Sequence, residues 1–582
     1  MDKMASPESS SIPLSALPSP TATIIEHEPD HGPRSPIDEE AEDDEKRIER
    51  YGADDPAEPR PKDFNEKILP ASSASSIHKS PKVAPAFTPQ PIDPNQVTWD
   101  GPNDQLNPQN WSNRYKWWVT AVCSVMTVNV TFASSAPSSA TLFIKQDLHT
   151  STEVSYLVTS IFLVGYVFGP MFWGPGSELV GRRPIFIVTL ALYTLFHIGQ
   201  AHAQNITTLL VTRFFSGFFA CAPLTNGGGV MADIWDPINR GIATSVFAAA
   251  VFLGPVIGPV VGGYVTVSSL GWRWVFWVMM IFAGACTSFA FLFLPETYAP
   301  AILAAKAKRL RKQDPVGNKD VFAESERVQW SPKELIHRTI LRPFKMLLVE
   351  PILLLVTVYL SVVYGVLYAL FEAFPVIFIR THGLTIPQDG LIFLGVGIGA
   401  VLAMFVNIYL LRPYPRLMVE WRGFPPAEIR LYGAMIAGPG LVVGALWLGW
   451  TGNYASVHWS APAISAILIG MSVVLVFMSF LSYLVDTYLM YAASAFAANT
   501  IVRSAVGAAF PLFTVQMFEN LGTNWAATLI AGIALLLAPI PFLFFKYGAR
   551  IRSKSQFAPC IDLKIAKQIA QEKEAAENKG EV

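Results

Sequence analysis

The segment GPGSELVGRR, from Gly174 to Arg183, separates two apolar runs of the chain. The run before it begins near residue 154, and the run after it ends near residue 202. A membrane helix needs about 20 mostly apolar residues, so each run is long enough to cross a bilayer. The segment is therefore predicted to be a short polar loop at one membrane surface, between two spanning helices.

Apolar runs of the same length recur on both sides of this loop. Of the 582 residues, 52% are hydrophobic and only 15% are charged, whereas soluble domains carry about 25% charged residues. The pattern predicts an all-α integral membrane protein with about twelve transmembrane helices in two groups of six. The predicted spans are approximately Trp117–Pro137, Val154–Gly174, Pro184–His202, Leu209–Val230, Ala243–Val265, Trp274–Leu294, Leu347–Phe371, Leu391–Leu411, Leu431–Trp450, Ala461–Leu484, Ala492–Phe518 and Ala526–Tyr547.

Polar segments flank and divide the two groups of spans. The first part of the chain is rich in Pro, Ser and acidic residues and has too few apolar residues to form a packed core. We therefore predict a disordered cytosolic N-tail (1–105), an N-terminal six-helix bundle (106–294), a cytosolic central loop (295–345), a C-terminal six-helix bundle (346–550) and a cytosolic C-tail (551–582). Ile561, Ile565 and Ile569 permit a short surface helix in the C-tail, but the favoured interpretation is a solvated tail.

Lysine and arginine residues are distributed unevenly between the two sets of loops. The loops that share a side with the termini carry Arg182, Arg183, Arg240, the basic cluster at 306–312 and several arginines between 412 and 430. The opposite loops carry few basic residues. The positive-inside rule therefore predicts that both termini face the cytosol. The net charge of −1 gives no indication of a nucleic-acid partner.

The loop sequence has the spacing GxxxExxGRR, which resembles the hallmark loop of the major facilitator superfamily. The resemblance implies a major facilitator fold of two pseudo-symmetric six-helix bundles around a central cavity. It also implies that the loop acts as a conformational latch. In the family, the acidic residue pairs with the loop arginine and with an acid at the end of the fourth helix. The matching residues here are Gly174, Glu178, Gly181, Arg182, Arg183 and Asp233. The loop between residues 412 and 430 shows no clear copy of this motif.

The fifth predicted span contains the repeat GPxxGPxxGG. Glycines four residues apart let two helices approach closely, and prolines bend a membrane helix. The repeat is similar to the antiporter motif of drug:proton exporters, and other stretches resemble the fungal drug:proton antiporter family, which includes multidrug and polyamine exporters. The motif residues are Gly254, Pro255, Gly258, Pro259, Gly262 and Gly263.

A few ionisable or polar residues lie within the predicted spans. Such residues are costly in a bilayer, and they are candidates for proton coupling or substrate binding. Arg213 matches a basic residue that the family uses on the fourth helix, although it could also reach the outer interface. Glu372 has aromatic neighbours (Tyr364, Tyr368, Phe371 and Phe374) and is the leading proton carrier, with an interfacial acid as the alternative. The remaining candidates are Asn129 and Asp486, and for Asp486 a position at the inner membrane edge is the alternative.

These features favour a transporter over an enzyme, because the sequence shows no catalytic cluster, metal-ligand spacing or nucleotide-binding loop. We expect an antiporter that exports xenobiotics, such as antifungals, or a toxic secondary metabolite. The proton gradient would drive it in place of a cofactor. A polyamine or nutrient transporter of the same fold is the alternative. The expected partners are protons, a small-molecule substrate and the lipid bilayer, and the expected state is a functional monomer in the plasma membrane or the vacuolar membrane.

Overall fold

The structure is a computed structural model that describes residues 93–327 and 337–578. The predicted N-tail up to residue 92, residues 328–336 of the central loop and residues 579–582 of the C-tail lie outside the described residues. Within the described part, all long elements are helices, and the single β-bridge joins Gln96 to Phe322. The prediction of an all-α membrane fold is confirmed.

Eleven helical stretches of the described chain are long and apolar enough to cross a bilayer, and one of them consists of two helices, which gives twelve. The longest apolar stretch, Ser460–Leu521, has 62 residues and consists of two helices, because the chain reverses at Leu489–Tyr491. Leu489 has a φ of 41°, which ends the first of these two helices. The helices are α1 Asn113–Ser135, α2 Thr152–Val180, α3 Arg182–Ala201, α4 Ile206–Ile234, α5 Pro237–Val267, α6 Arg273–Phe293, α7 Pro351–Phe374, α8 Ile386–Leu410, α9 Tyr432–Gly452, α10 Ser460–Tyr488, α11 Ala492–Leu521 and α12 Thr523–Arg552, the last interrupted near Pro539.

Several helices begin before the apolar runs because a polar side chain caps the first turn. The side chains of Ser151, Asn205 and Asp236 accept hydrogen bonds from backbone N–H groups at the starts of α2, α4 and α5. Such caps satisfy donors that have no partner within the helix. The apolar pattern therefore located each helix but missed its first residues.

The helices pack as two bundles of six. In the N-terminal bundle, α5 packs on α1, α4 packs on α2 and α3, and α6 packs on α3. The C-terminal bundle repeats these pairs, since α11 packs on α7, α10 on α8 and α9, and α12 on α9. The bundles meet where α5 packs on α8 and where α2 packs on α11. We call the side on which α1 begins and α12 ends the tail side, and the opposite side the far side.

The described end of the predicted disordered tail is ordered against the central segment. Val97 N donates to Phe322 O at 2.8 Å, and Lys306 Nζ contacts Asp100 at 2.6 Å. Asp93 also pairs with Arg327 at 3.1 Å. These partners lie more than 200 residues away along the chain, so local composition could not reveal them. The prediction of disorder is wrong for residues 93–105.

The C-tail forms a helix, Ile561–Asn578, rather than the solvated tail that the sequence favoured. Arg552 is buried at the end of α12 and binds both Glu428, at 2.8 Å, and Asp562, at 2.7 Å. A buried arginine is stable only when its charge is compensated. Because Asp562 is one of the two carboxylates that bind Arg552, the start of the tail helix is held against the C-terminal bundle.

Candidate transport site

The predicted latch of the N-terminal half lies on the tail side, between α2, α3 and α4. Arg182 Nε contacts Asp233 Oδ2 at 3.3 Å, and the same guanidinium donates to the Ser177 hydroxyl. Thr297 donates to Asp233 Oδ2 at 3.3 Å. The structure thus brings Arg182 and Asp233, two of the residues that the family resemblance assigned to the latch, into contact. This charge-assisted contact joins the ends of three helices.

Glu296, a residue to which the sequence analysis gave no role, completes this latch. One carboxylate oxygen accepts from Arg182 N at 2.9 Å, and the other accepts from Arg183 N at 3.1 Å. These are the first two N–H groups of α3, where the helix dipole favours negative charge. An acid directly after the sixth span, in the stretch LPETYAP, was the available signal.

The remaining loop residues lie around the Glu296 carboxylate at the start of α3. Gly181 has a φ of 107°, and a Cβ there would lie 2.5 Å from Glu296 Oε2, so both conformation and space require glycine. Arg182 lies over the Tyr298 ring at 5.0 Å. Burial, with a contribution from nearby Glu178, raises the pKa of Tyr298 to about 12, so this ring stays neutral beneath the cation. Glu178 itself is exposed in the last turn of α2, and Gly174 lies one turn earlier, with open space around it.

The C-terminal half has a geometric counterpart of this latch, although its loop lacks the motif. Arg430 Nε, before α9, contacts Asp486 Oδ2 near the end of α10 at 2.7 Å. Tyr414 donates to the same oxygen at 3.0 Å, and its ring lies 3.7 Å from the Arg430 guanidinium. Asp486 was a candidate for proton coupling for which a position at the inner membrane edge was the alternative. The structure has it on the tail side in an ion pair, as Asp233 is in the first half.

The glycines of the α5 motif lie against the backbone of α1. A Cβ at Gly254 would lie 2.7 Å from Val128 O, and one at Gly258 would overlap Ser135 Oγ. Gly262 approaches Ala136 in the same way, whereas Gly263 faces the start of α8 across the bundle interface. The motif therefore determines how closely α5 can pack on α1 and α8. Pro255 and Pro259 lie within the helix between these contacts.

Arg213 is fully buried in the N-terminal bundle and does not extend to the outer interface. Its Nε donates to Val158 O at 3.0 Å, its Nη1 donates to Ala133 O at 2.9 Å, and its guanidinium lies 4.3 Å from the Phe162 ring. Asn129 is also buried, and its side-chain amide has no hydrogen-bond partner among the described residues. Arg213 thus joins α4 to the backbones of α1 and α2.

Glu372 lies near the far-side end of α7 and is 5% exposed. Its Oε1 has no hydrogen-bond partner, and no basic side chain of the described chain lies within ion-pair distance. Asp389, in the first turn of α8, is near enough to interact with it electrostatically, and Asp389 Oδ1 is also buried without a partner. Tyr156 of α2 lies within electrostatic reach of Glu372 from the other bundle. Asp389 was not among the predicted candidates, because it lies just before the apolar run that begins at Leu391.

The aromatic residues near Glu372 divide into two groups. Phe371 and Phe374 pack on Phe393 of α8, with ring centroids 5.2 and 4.7 Å apart, and so hold the C-terminal bundle together. Tyr368 instead reaches the N-terminal bundle, where its hydroxyl lies 2.8 Å from Ser134 Oγ of α1. Tyr364 lies beside Tyr368, with 3.4 Å between the hydroxyl oxygens. The two tyrosines therefore line the central contact between the bundles.

Polar side chains, among them Tyr368 and Ser134, thus lie at the contact between the two bundles. In the described part of the chain, His, Cys, Asp and Glu side chains form no group of three or more that could hold a metal ion. The fold of two packed helical bundles, with charged residues buried within the spans, is that of a multi-pass membrane transport protein.

Comparisons with known proteins agree with this class. Residues 118–511 match the family model of the Major Facilitator Superfamily, and the chain belongs to that family. It is 42% identical over 488 residues to the "Ascochitine biosynthesis cluster MFS transporter" of Didymella fabae, with 82% of this chain and 92% of the relative covered. It is also 42% identical to the "MFS-type efflux pump MFS2" of Trichophyton rubrum, over 80% of this chain and 78% of that protein.

A solved structure supports the fold independently. The proton:xylose symporter XylE superposes with a TM-score of 0.53 at 16% sequence identity, covering 75% of this chain and 96% of that one. Similarity at this level supports the architecture and carries no information about the substrate. The predicted major facilitator fold is confirmed, as is the resemblance to fungal efflux transporters of this family.

Proposed function

We propose that the chain is a proton-driven antiporter that exports xenobiotics, such as antifungals, or a toxic secondary metabolite. The observation that carries the proposal is the burial of Glu372 beside Asp389 without a basic partner. Two neighbouring carboxyl groups in an apolar setting are not both ionised at low cost, so at least one favours its proton-bound form. A proton taken up there would be released when the surroundings become polar.

Glu372 and Asp389, which we call the acid pair, are positioned to take up protons from the far side of the membrane. Glu372 lies about 31 Å along α7 from its tail-side start at Pro351, near the far end of a hydrocarbon core about 30 Å thick. If the termini face the cytosol, as the basic loops favour, the far side is the outer side. Protons would then reach the acid pair from outside when the bundles separate there. The proposed location is the plasma membrane, with the vacuolar membrane as the alternative.

The export direction is supported by the α5 motif and by the efflux pump among the relatives. In the structure, the bundles touch on both sides of the centre. Asn407 donates to Ser245 at 2.8 Å toward the tail side, and Gly263 lies against Ile386 on the far side. Alternating access requires one of these contacts to open while the other holds. Protonation of the acid pair would favour one arrangement and substrate the other.

The decisive experiment is transport by Glu372→Gln in proteoliposomes, using radiolabelled fluconazole and cycloheximide as test substrates. Glutamine has the shape of the protonated acid but cannot release a proton. We expect the variant to retain substrate counterflow, which needs no net proton movement, and to lose accumulation driven by an imposed pH gradient. Glu153→Gln is the matched control, because Glu153 is an exposed acid at the far-side start of α2.

Two results would contradict the proposal. If pH-driven accumulation by Glu372→Gln equals that of the wild type, the acid is not part of the proton pathway. If the wild type itself shows no response to a pH gradient while counterflow is measurable, the chain is not a proton-coupled antiporter.

A further inference from the structure

Arg503 of α11 lies at the centre of the protein and has no described partner for its charge. It is 11 residues from the tail-side start of α11 at Ala492, which places it about 16 Å along the helix and near mid-membrane. The residue is 5% exposed, and its Nε is buried without a hydrogen-bond acceptor. Within the described residues, no carboxylate lies within ion-pair distance and no oxygen accepts a hydrogen bond from it.

Its surroundings are aromatic rather than acidic. The guanidinium lies 4.7 Å from the ring centroid of Tyr364 and 4.8 Å from that of Phe477. Cation–π contacts of this kind replace part of the lost hydration but leave the N–H donors without acceptors. Tyr166 of the other bundle lies within electrostatic reach, so the guanidinium is close to the bundle interface.

Further polar atoms without partners lie one helical turn away. Asn499 precedes Arg503 by one turn of α11, and Ser361 precedes Tyr364 by about one turn of α7. Asn499 Oδ1 and Ser361 Oγ are both buried without hydrogen-bond partners. Buried polar atoms are nearly always satisfied in native proteins. A group of unsatisfied ones beside an uncompensated cation indicates a site for a polar ligand.

The comparison with Arg213 separates a structural arginine from a ligand-binding one. Both residues are buried, and both lie over aromatic rings. Arg213, however, donates to two backbone carbonyl groups of neighbouring helices, whereas Arg503 donates to none. The Nε and Nη1 groups of Arg213 are therefore used within the fold, and only its Nη2 is buried without a partner. Arg503 donates no hydrogen bond to a described residue, so its donors remain available.

We propose that Arg503 binds the anionic group of transported molecules that carry one, and that the substrates include aromatic compounds carrying a carboxylate. The planar guanidinium can bind a carboxylate through two parallel hydrogen bonds, and such pairs are strong where water is excluded. Tyr364 and Phe477 would contact the aromatic part of the same molecule. This inference rests on the proposed function as a small-molecule exporter, and it names the substrate class.

The test measures equilibrium binding to the purified full-length protein in detergent at pH 7, without a pH gradient. The probes are 7-methoxycoumarin-3-carboxylic acid and 6-methoxy-2-naphthoic acid, each compared with its own uncharged methyl ester. We expect the wild type to bind each acid at least tenfold more tightly than its ester. Arg503→Gln should weaken acid binding at least tenfold and change ester binding less than twofold.

Two further variants keep the result interpretable. Arg503→Lys retains the charge but not the planar pair of donors, so it should restore part of the preference for acids. Arg380→Gln removes an exposed cation near the far side and should bind like the wild type. The thermal unfolding midpoint of each variant shows whether it is folded, and Arg503→Lys supplies the comparison if Arg503→Gln is not.

Three outcomes would overturn the inference: equal binding of acid and ester by the wild type, equal weakening of both by Arg503→Gln, or no binding of either acid. None of these outcomes depends on proton coupling. The inference and the proposed antiport mechanism can therefore fail separately, since the latter is tested by the pH dependence of transport in Glu372→Gln.

Discussion

Arg182 and Arg183 are adjacent in the sequence, yet the structure gives their side chains different contacts. Arg182 is buried and pairs with Asp233, while the guanidinium of Arg183 reaches the exposed Phe291 O at 3.0 Å. The sequence motif treats the two as equivalent basic positions. At the scale of single residues, the structure therefore assigns the ion pair of the latch to the first arginine alone.

This difference predicts unequal effects of substitution. Arg182→Ala leaves Asp233 partly buried without its cation, whereas Arg183→Ala preserves the ion pair and the N–H groups that bind Glu296. We expect Arg182→Ala to slow transport roughly tenfold, equivalent to about 1.4 kcal/mol, and Arg183→Ala to slow it less than twofold. Initial rates in proteoliposomes, normalised to the amount of folded protein, measure this. Equal rates for the two variants would show that the Arg182–Asp233 contact does not control the cycle.

At the scale of whole elements, α5 is positioned by its small residues. Three glycines spaced four residues apart place its surface against the backbone of α1, and Gly263 places the same helix against α8. Small residues at such contacts let membrane helices pack through backbone and van der Waals contacts. The motif therefore acts through packing, and its effect on transport depends on two neighbouring helices.

A larger residue in this contact is predicted to be destabilising. In Gly258→Leu the new side chain would meet Ser135 Oγ and the backbone N of Ala136, so α5 must move away from α1. Overpacking of this kind costs about 1–3 kcal/mol. We expect a lower thermal unfolding midpoint and loss of drug resistance in an expressing host.

Gly532→Leu is the matched control, because Gly532 is an exposed glycine of α12 with open space around it. It should retain both stability and resistance. Full resistance of Gly258→Leu at a normal expression level would rule out the packing explanation of the motif.

At the scale of the whole molecule, each half carries a tail-side ion pair at corresponding places. In the first half, Arg182 lies at the start of α3 and Asp233 near the end of α4. In the second half, Arg430 lies just before α9 and Asp486 near the end of α10. The second pair lies near the bundle interface, since a Cβ at Gly241 of α5 would be 3.6 Å from Arg430 Nη1. Movement of the bundles on the tail side would change the surroundings of this pair.

Locking the tail side should therefore stop transport. Ser245→Cys and Asn407→Cys, combined with Cys560→Ser to remove the most accessible native thiol, place two thiols across the α5–α8 contact. We expect an oxidant to link them and to abolish transport, and a reductant to restore it. Each single-cysteine protein, treated identically, should keep its activity. Undiminished transport by the linked protein would mean that α5 and α8 do not separate on this side.

Much of the fold could be predicted from the sequence because hydropathy is a local property. Apolar runs predicted the twelve spans, their division into two groups and the membrane class. Each run indicates a span by its own length and composition, without reference to the other runs. The α2–α3 loop and the α5 glycine repeat were also recognisable, because their residues are close together along the chain. Helix starts were missed by a few residues, since caps such as Asp236 are polar.

The pairing of distant residues was decided only by the tertiary structure. Glu296 lies 114 residues from Arg182, and Arg430 lies 56 residues from Asp486, so no local pattern joins them. Whether a buried charge is compensated depends on how each helix is rotated and on which helix faces it. For this reason the apolar pattern located the helices that carry Arg213 and Arg503, and only the packing of the helices showed that Arg213 donates to two backbone carbonyl groups while Arg503 donates to none.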